Sequence, residues 1–362
     1  MPTWGDILRE INTLQNQGIA SPFDKVRRYY LQELSQYTGR DTILYSTAWT
    51  QPGGGSGLSI NDRDVHAFME VIHDLNNNEL DIVIHSPGGS AESTEQIVGY
   101  IREKFNSVRM FVPQAAMSAA TLMCCAADEL YMGCHSAVGP IDPQFVAQTP
   151  FGTRMTAAQA IVDQFEMAQQ SINDHTDLIA WQPLLNQYSV GLIAECYEAM
   201  ELSRDLAREW TRDYMHSDKP NDVAEEFSDQ ISSFLSDRQQ FKSHGRRIDR
   251  QTAKDNGLDV TSLESDQQLQ DLVLSVFHAA MHTHAGRPVM KIIENQRGRS
   301  VIKRTEGNMS SSQPPNPGNN GNDGEGSEND SNRTDDENQE EVEKAEESTG
   351  SEEDSDSAGE ET

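Results

Sequence analysis

The chain has 362 residues, room for one large or two ordinary domains with a buried core, and a formal net charge of −31. Residues 305–362 hold 19 Asp and Glu against one Arg and one Lys, a net of −17, which leaves −14 for residues 1–304. So acidic a chain is a poor partner for nucleic acid, and no apolar run is long enough to predict a membrane-spanning helix.

The start, Met1-Pro2-Thr3-Trp4-Gly5-Asp6, has neither a basic stretch nor an apolar core, so no signal peptide and a cytoplasmic location are expected. Ile7, Leu8, Ile11 and Leu14, then Val26, Tyr29, Tyr30, Leu31 and Leu34, predict two helices broken near residues 18–22. Residues 1–40 are therefore expected to form a helical arm, packed on the core or on a neighbouring subunit. Residues 41–46 read as the first core strand. The loop Gln51-Pro52-Gly53-Gly54-Gly55-Ser56-Gly57 lacks the Lys and Ser/Thr of a phosphate cradle and reads as a flexible connection. Ser59 or Asn61 then caps a helix carrying Val65, Phe68, Met69, Ile72 and Leu75.

Residues 81–85 and 108–112 are short β-branched runs, and Ile97, Val98, Ile101 and Phe105 between them fall at helical spacing. Strand, helix and strand in that order make parallel neighbours whose C-terminal loops emerge on one edge. The loop Pro87-Gly88-Gly89 and the turn Ala116-Met117-Ser118-Ala119-Ala120 are thus expected to face each other. Ser118, before a small-residue helix, is the candidate nucleophile. Gly88 and Gly89 can turn backbone N–H groups outward, and the Ala119 N–H is a second candidate oxyanion donor.

Residues 129–133 read as a third strand, and the turn over residues 136–143 should reach the same rim, bringing Asp142 near the chemistry; a plain turn role for that residue is the competing reading. The pattern over residues 156–236 is helical, with segments at 184–200 and 202–215, and predicts an inserted helical layer over about 150–236. Residues 269–282 suggest an amphipathic helix and 290–304 a basic closing segment. His278, His282 and His284 read as helix-face histidines, and Cys124, Cys125, Cys134 and Cys196 as reduced, buried fillers without metal-ligand spacing. No metal and no cofactor are expected. Residues 305–362 lack large apolar side chains and read as a disordered acidic tail, either solvating or docking a basic partner.

The order Ser86-Pro87-Gly88-Gly89-Ser90, Ala116-Met117-Ser118-Ala119-Ala120, Ala126-Ala127-Asp128-Glu129-Leu130-Tyr131 and Ser136-Ala137-Val138-Gly139-Pro140-Ile141-Asp142-Pro143 resembles the Clp protease and signal-peptide peptidase A superfamily. More narrowly, it resembles the serine dehydrogenase proteinase family. The resemblance covers residues 40–145 well and 243–304 loosely. It implies an α/β, crotonase-like (Clp protease-like) fold with a repeated ββα core in residues 41–304, and serine peptidase chemistry.

The chain departs from that pattern where the general base belongs. Where Clp proteases carry the catalytic His, it has Pro140-Ile141-Asp142, and no Lys occurs between Ser118 and Lys219 to serve as in the signal-peptide peptidases. Residues 243–260 resemble the late segment of the superfamily in which a short strand and a helix end in Gly-Leu, here Gly257-Leu258; in Clp proteases the third catalytic residue, an Asp, lies just upstream of that helix, and His244 occupies roughly that place. His244 is therefore the candidate base, ahead of His135 and Lys242. The expected activity is that of a cytosolic, ATP-independent serine peptidase, a homo-oligomer cleaving peptides or unfolded segments through a Ser118 acyl-enzyme. The alternatives are a crotonase-like acyl-coenzyme A enzyme and an inactive oligomeric scaffold.

Overall fold

The computed structural model describes residues 3–305 apart from 53–56, 150–151 and 174, so the expected acidic tail and the middle of the glycine-rich loop lie outside the described residues. Two helices open the chain, α1 (Trp4–Asn16) and α2 (Pro22–Thr38). Then β1 (Asp41–Thr47), α3 (Asp62–Ile72), β2 (Glu79–His85), α4 (Ala91–Lys104) and β3 (Ser107–Val112) alternate. They are followed by β4 (Ala115–Ala116), α5 (Ala119–Cys125), β5 (Glu129–Met132) and β6 (Ala137–Val138).

β1, β2, β3 and β5 are parallel neighbours in one sheet, as the crossover logic requires. Val83, Leu44 and Phe111 point to one face and Ile43, Ile82, Ile84 and Met110 to the other, so the sheet is apolar on both sides and needs two covering layers. Helices α3, α4 and α5 cover one face.

The predicted helical layer starts with strands instead: β7 (Gln144–Thr149) and β8 (Gly152–Ala157) form an antiparallel hairpin. The expectation of helix from about residue 150 is corrected accordingly. Helices α6 (Ala158–Ser171), α7 (His175–Leu185), α8 (Leu192–Trp210) and α9 (Asn221–Ser236) follow. α8 runs unbroken through the expected boundary near residue 201, because nothing in Met200-Glu201-Leu202 breaks a helix, and Leu206, Ala207 and Trp210 bury it against the core.

The chain then returns to the rim through α10 (Arg238–Phe241), β9 (Ile248–Asp249), α11 (Arg250–Asp255) and β10 (Val260–Ser262). β10 pairs with β5 at the sheet edge, and β4, β6 and β9 make a second, three-stranded sheet. Last come α12 (Gln267–Gly286), β11 (Val289–Asn295) and β12 (Ser300–Arg304); β11 extends the main sheet antiparallel to β1, and β12 pairs antiparallel with β11 at its edge.

The helix expected over 269–282 is present as α12, but it is buried on more than one face. It lies against the second sheet face, and α1 and α2 cover its outer side with Ile7, Ile11, Val26, Leu31 and Leu34, so most of its residues are buried, the polar Gln270, Ser275, His282, Thr283 and His284 among them. Cys124, Cys125 and Cys196 are buried, whereas Cys134 is exposed, because the chain has left the sheet two residues after Met132.

Candidate active site

Ser118 sits between β4 and α5 with φ 53° and ψ −122°, a region L-residues avoid. The turn is held there from several directions. The Met117 N–H donates to the Ser86 carbonyl at 3.0 Å, the Thr121 N–H to the Ser118 carbonyl at 2.7 Å, and the Thr121 hydroxyl to the Ala116 carbonyl at 2.9 Å. Such a strained strand-to-helix turn lifts a serine side chain out of the backbone's shadow. Ser118 is half-buried while Ala116, Ala119 and Ala120 around it are fully packed.

The glycine loop presses directly on this turn. A Cβ on Gly88 (φ 91°) would stand 2.4 Å from the Met117 carbonyl oxygen, 2.7 Å from the Ser118 Cβ and 2.8 Å from the Ala119 nitrogen. On the other side, Gly89 fits against Ile60, whose N–H donates to the Gly88 carbonyl at 2.8 Å and whose carbonyl accepts from the Ser90 N–H at 3.0 Å. The Gly88 N–H itself is taken by the Ser86 hydroxyl oxygen at 3.1 Å, so Gly88 supplies close approach rather than a free donor. Among the described residues the Gly89 and Ala119 N–H groups have no acceptor. Ser118, Ala119, Gly88 and Gly89 all line one cavity of about 660 Å³.

His244 lines the same cavity from the loop between α10 and β9. Its Nδ1 lies 2.7 Å from Oδ1 of Asp142, a residue 102 positions away in sequence, and the Gln144 side-chain amide donates to Oδ2 at 2.9 Å. Asp142 is nearly buried, with 7% of its side chain exposed, so the pair is shielded more than a surface ion pair. A carboxylate only accepts, so Nδ1 carries the proton and the Nε2 lone pair is the basic one. Neither Nε2 nor the Ser118 hydroxyl has a partner among the described residues.

The structure thus brings Ser118, Gly88, Gly89, Ala119 and His244 to one cavity, with Asp142 bonded to His244. His135 and Lys242 do not line it. His135 is exposed beside Cys134 and Glu264, and Lys242 ends α10. Sequence reasoning missed the support behind the glycine loop. Lys291, 2% exposed, donates to the Ser59 carbonyl at 2.9 Å and to Asp64 at 2.5 Å, and Asp64 also accepts from the Tyr45 hydroxyl at 2.9 Å. This buried knot fixes the segment Ser59-Ile60-Asn61 on which Gly88 and Gly89 rest. A lysine in a basic closing segment gave no sign of it.

Residues 60–229 match the model of the family described as ClpP-like SDH-type serine proteinase. The matched range takes in Gly88, Gly89, Ser118 and Asp142 and stops before His244. Two uncharacterized proteins of Methanocaldococcus jannaschii, MJ1495 and MJ0137, are 29% and 32% identical over 144 residues, 37% of this chain in each case. The matches span 47% and 48% of those proteins, about half their length. Among solved structures, a serine-to-alanine variant of the 1510-N membrane-bound stomatin-specific protease gives a TM-score of 0.34 at 14% identity, covering 59% of this chain and 79% of that one. A lysine-to-alanine variant of that protease with a substrate peptide gives 0.33 at 13%, covering 56% and 70%. Overlays this loose carry nothing about activity to this chain.

Proposed function

We propose that the chain is an ATP-independent serine peptidase in which Ser118, His244 and Asp142 form the catalytic triad. The observation that carries this is the 2.7 Å bond from His244 to Asp142 at the wall of the cavity that Ser118 and two unbonded amides also line. It answers the absence of a standard base. Asp142 stands where the Clp resemblance puts the histidine and His244 roughly where it puts the aspartate, so acid and base have exchanged places. A triad is defined by geometry and roles rather than by chain order.

In this reading the Ser118 Oγ attacks the scissile carbonyl carbon as His244 Nε2 takes its proton, and Asp142 stabilises the imidazolium. The Gly89 and Ala119 N–H groups receive the developing oxyanion, which is where fixed dipoles contribute most. His244 returns the proton to the leaving amine, and water releases the acyl group by the same steps. Ser118 and His244 must close to hydrogen-bond distance as the carbonyl binds, as is common when free enzymes take up substrate. Leu122, Ile141, Phe145, Met155 and Leu202 make the cavity's apolar wall, which suits an uncharged apolar side chain of a peptide.

The crotonase-like reading is supported by the small sheet β4-β6-β9 standing beside the main parallel one. Self-association is supported by exposed apolar residues on the inserted layer, among them Val146, Met155, Met167 and Ile179. No helix among the described residues is long and apolar enough to cross a membrane; a cytosolic location is part of the proposal. The test is hydrolysis of unfolded protein and quenched peptides without nucleotide. Turnover that disappears in Ser118→Ala supports the reading, and turnover that survives it overturns it.

A further inference from the structure

The parallel pairing of β5 with β10 brings two turns together at the sheet edge: Gly133-Cys134-His135-Ser136 after β5, and Leu263–Ser265 after β10. The first presents the Cys134 thiol and the His135 ring, the second the Glu264 carboxylate, 130 positions from Cys134 in sequence. One ligand atom from each lies within 4.8 Å of the others, and Cys134 Sγ is 3.9 Å from His135 Nδ1.

Gly133 lies directly beneath them. A Cβ there would come within 3.0 Å of His135 Cε1 and within 3.3 Å of both His135 Nδ1 and Glu264 Oε1, so the ring and the carboxylate converge over a position left bare of side chain. The donors are also held. The Cys134 N–H donates to Glu264 Oε1 at 2.7 Å, the Ser262 hydroxyl to Oε2 at 2.8 Å, and Arg250 also bonds Oε2, leaving a lone pair of Oε1 open. Burial alone would raise the Glu264 carboxyl, but the Cys134 N–H, Ser262 and Arg250 outweigh it and bring it down to about 2. The Ser136 hydroxyl fixes the turn by donating to the Val112 carbonyl at 2.5 Å and accepting from the Gly133 N–H at 2.9 Å.

We propose that Cys134, His135 and Glu264 bind a zinc-class divalent cation, with solvent in the fourth position. Thiolate, imidazole and carboxylate are the donors zinc takes, and bond lengths of about 2.3 Å to sulfur and about 2.0 Å to nitrogen put tetrahedral S and N ligands roughly 3.6 Å apart. The observed 3.9 Å needs only a small side-chain adjustment. None of the three residues lines the Ser118 cavity, so the site is separate from the proposed chemistry. It joins the turn that leads into β6, whose partners β4 and β9 precede Ser118 and follow His244, and so braces the rim.

Cobalt(II) titration of the full chain tests this, because a thiolate ligand gives a near-ultraviolet charge-transfer band that carboxylates of the acidic tail cannot. The expected result is a band saturating at one equivalent and displaced by zinc. It is absent in Cys134→Ser and needs at least tenfold more cobalt in His135→Ala and in Glu264→Gln. The metal-free melting curve of His135→Ala should match that of the parent, since this exposed ring is not part of the core. No band, a band that persists in Cys134→Ser, or unchanged affinity in folded His135→Ala overturns the site.

Discussion

Gly88→Ala puts one methyl group where the glycine loop meets the Ser118 turn. The new Cβ would lie 2.4, 2.7 and 2.8 Å from the Met117 oxygen, the Ser118 Cβ and the Ala119 nitrogen, all of them backbone or Cβ atoms that cannot swing aside. Carbon contacts are comfortable from about 3.5 Å, so loop and turn must separate by roughly 1 Å. The left-handed φ of 91° adds its own cost; with overpacking of about 1–3 kcal/mol and about 1–2 kcal/mol for the backbone, the loss should be about 2–5 kcal/mol. Catalysis should suffer further, because a shift of about 1 Å between nucleophile and oxyanion donor costs about 100-fold. The assay is kcat/KM on a quenched peptide beside urea unfolding, with Gly99→Ala as control, since a Cβ at Gly99 in α4 meets nothing within 4 Å. A Gly88→Ala enzyme within a few-fold of the parent would refute the close approach on which the oxyanion assignment rests.

Asp142→Asn should lower kcat about 10²- to 10⁴-fold with KM little changed, because an amide no longer fixes the His244 tautomer; initial-rate kinetics would show it. Lys291→Ala leaves Asp64 buried without its cation and should cost about 3–5 kcal/mol in urea unfolding, with much of it recovered when Asp64→Asn is added. Burial lowers the His85 imidazole to about 3 and those of His278 and His284 to about 4. The unfolded chain takes up these protons near pH 6.5 and the folded chain does not, so stability should fall between about pH 6.5 and 4, by up to ~1.4 kcal/mol per pH unit for each. The His85 ring is fully buried, so His85→Leu should flatten this decline by about one proton's worth. An unchanged slope in thermal melts from pH 7 to 4.5 would contradict that.

The sheet core was legible because β2, α4 and β3 bury their apolar residues in the simple periods of strand and helix, and direction then dictated that the Gly88 loop and Ser118 meet. The β7–β8 hairpin was not legible. Gly152, Thr153, Arg154 and Met155 are exposed, so no buried face printed an alternating pattern. α12 misled for the opposite reason: its outer side is covered by α1 and α2, an arrangement that no local window contains. Asp142 was legible as a residue near the chemistry, but its bond to His244 was not, since a contact across 102 positions is made by the fold and not by spacing. Glu264 beside Cys134 is the same kind of fact. Lys291 was hidden because burying a lysine is costly unless a carboxylate meets it, and Asp64 sits on a different element far back in the chain.

The most direct measurement is the mass of the intact protein after reaction with a fluorophosphonate, followed by peptide mapping and by labelling rates in variants. One adduct on Ser118, none in Ser118→Ala and labelling slowed at least 100-fold in His244→Ala are the results predicted. An adduct on another residue, or labelling of Ser118 at the parent rate without His244, would contradict the triad.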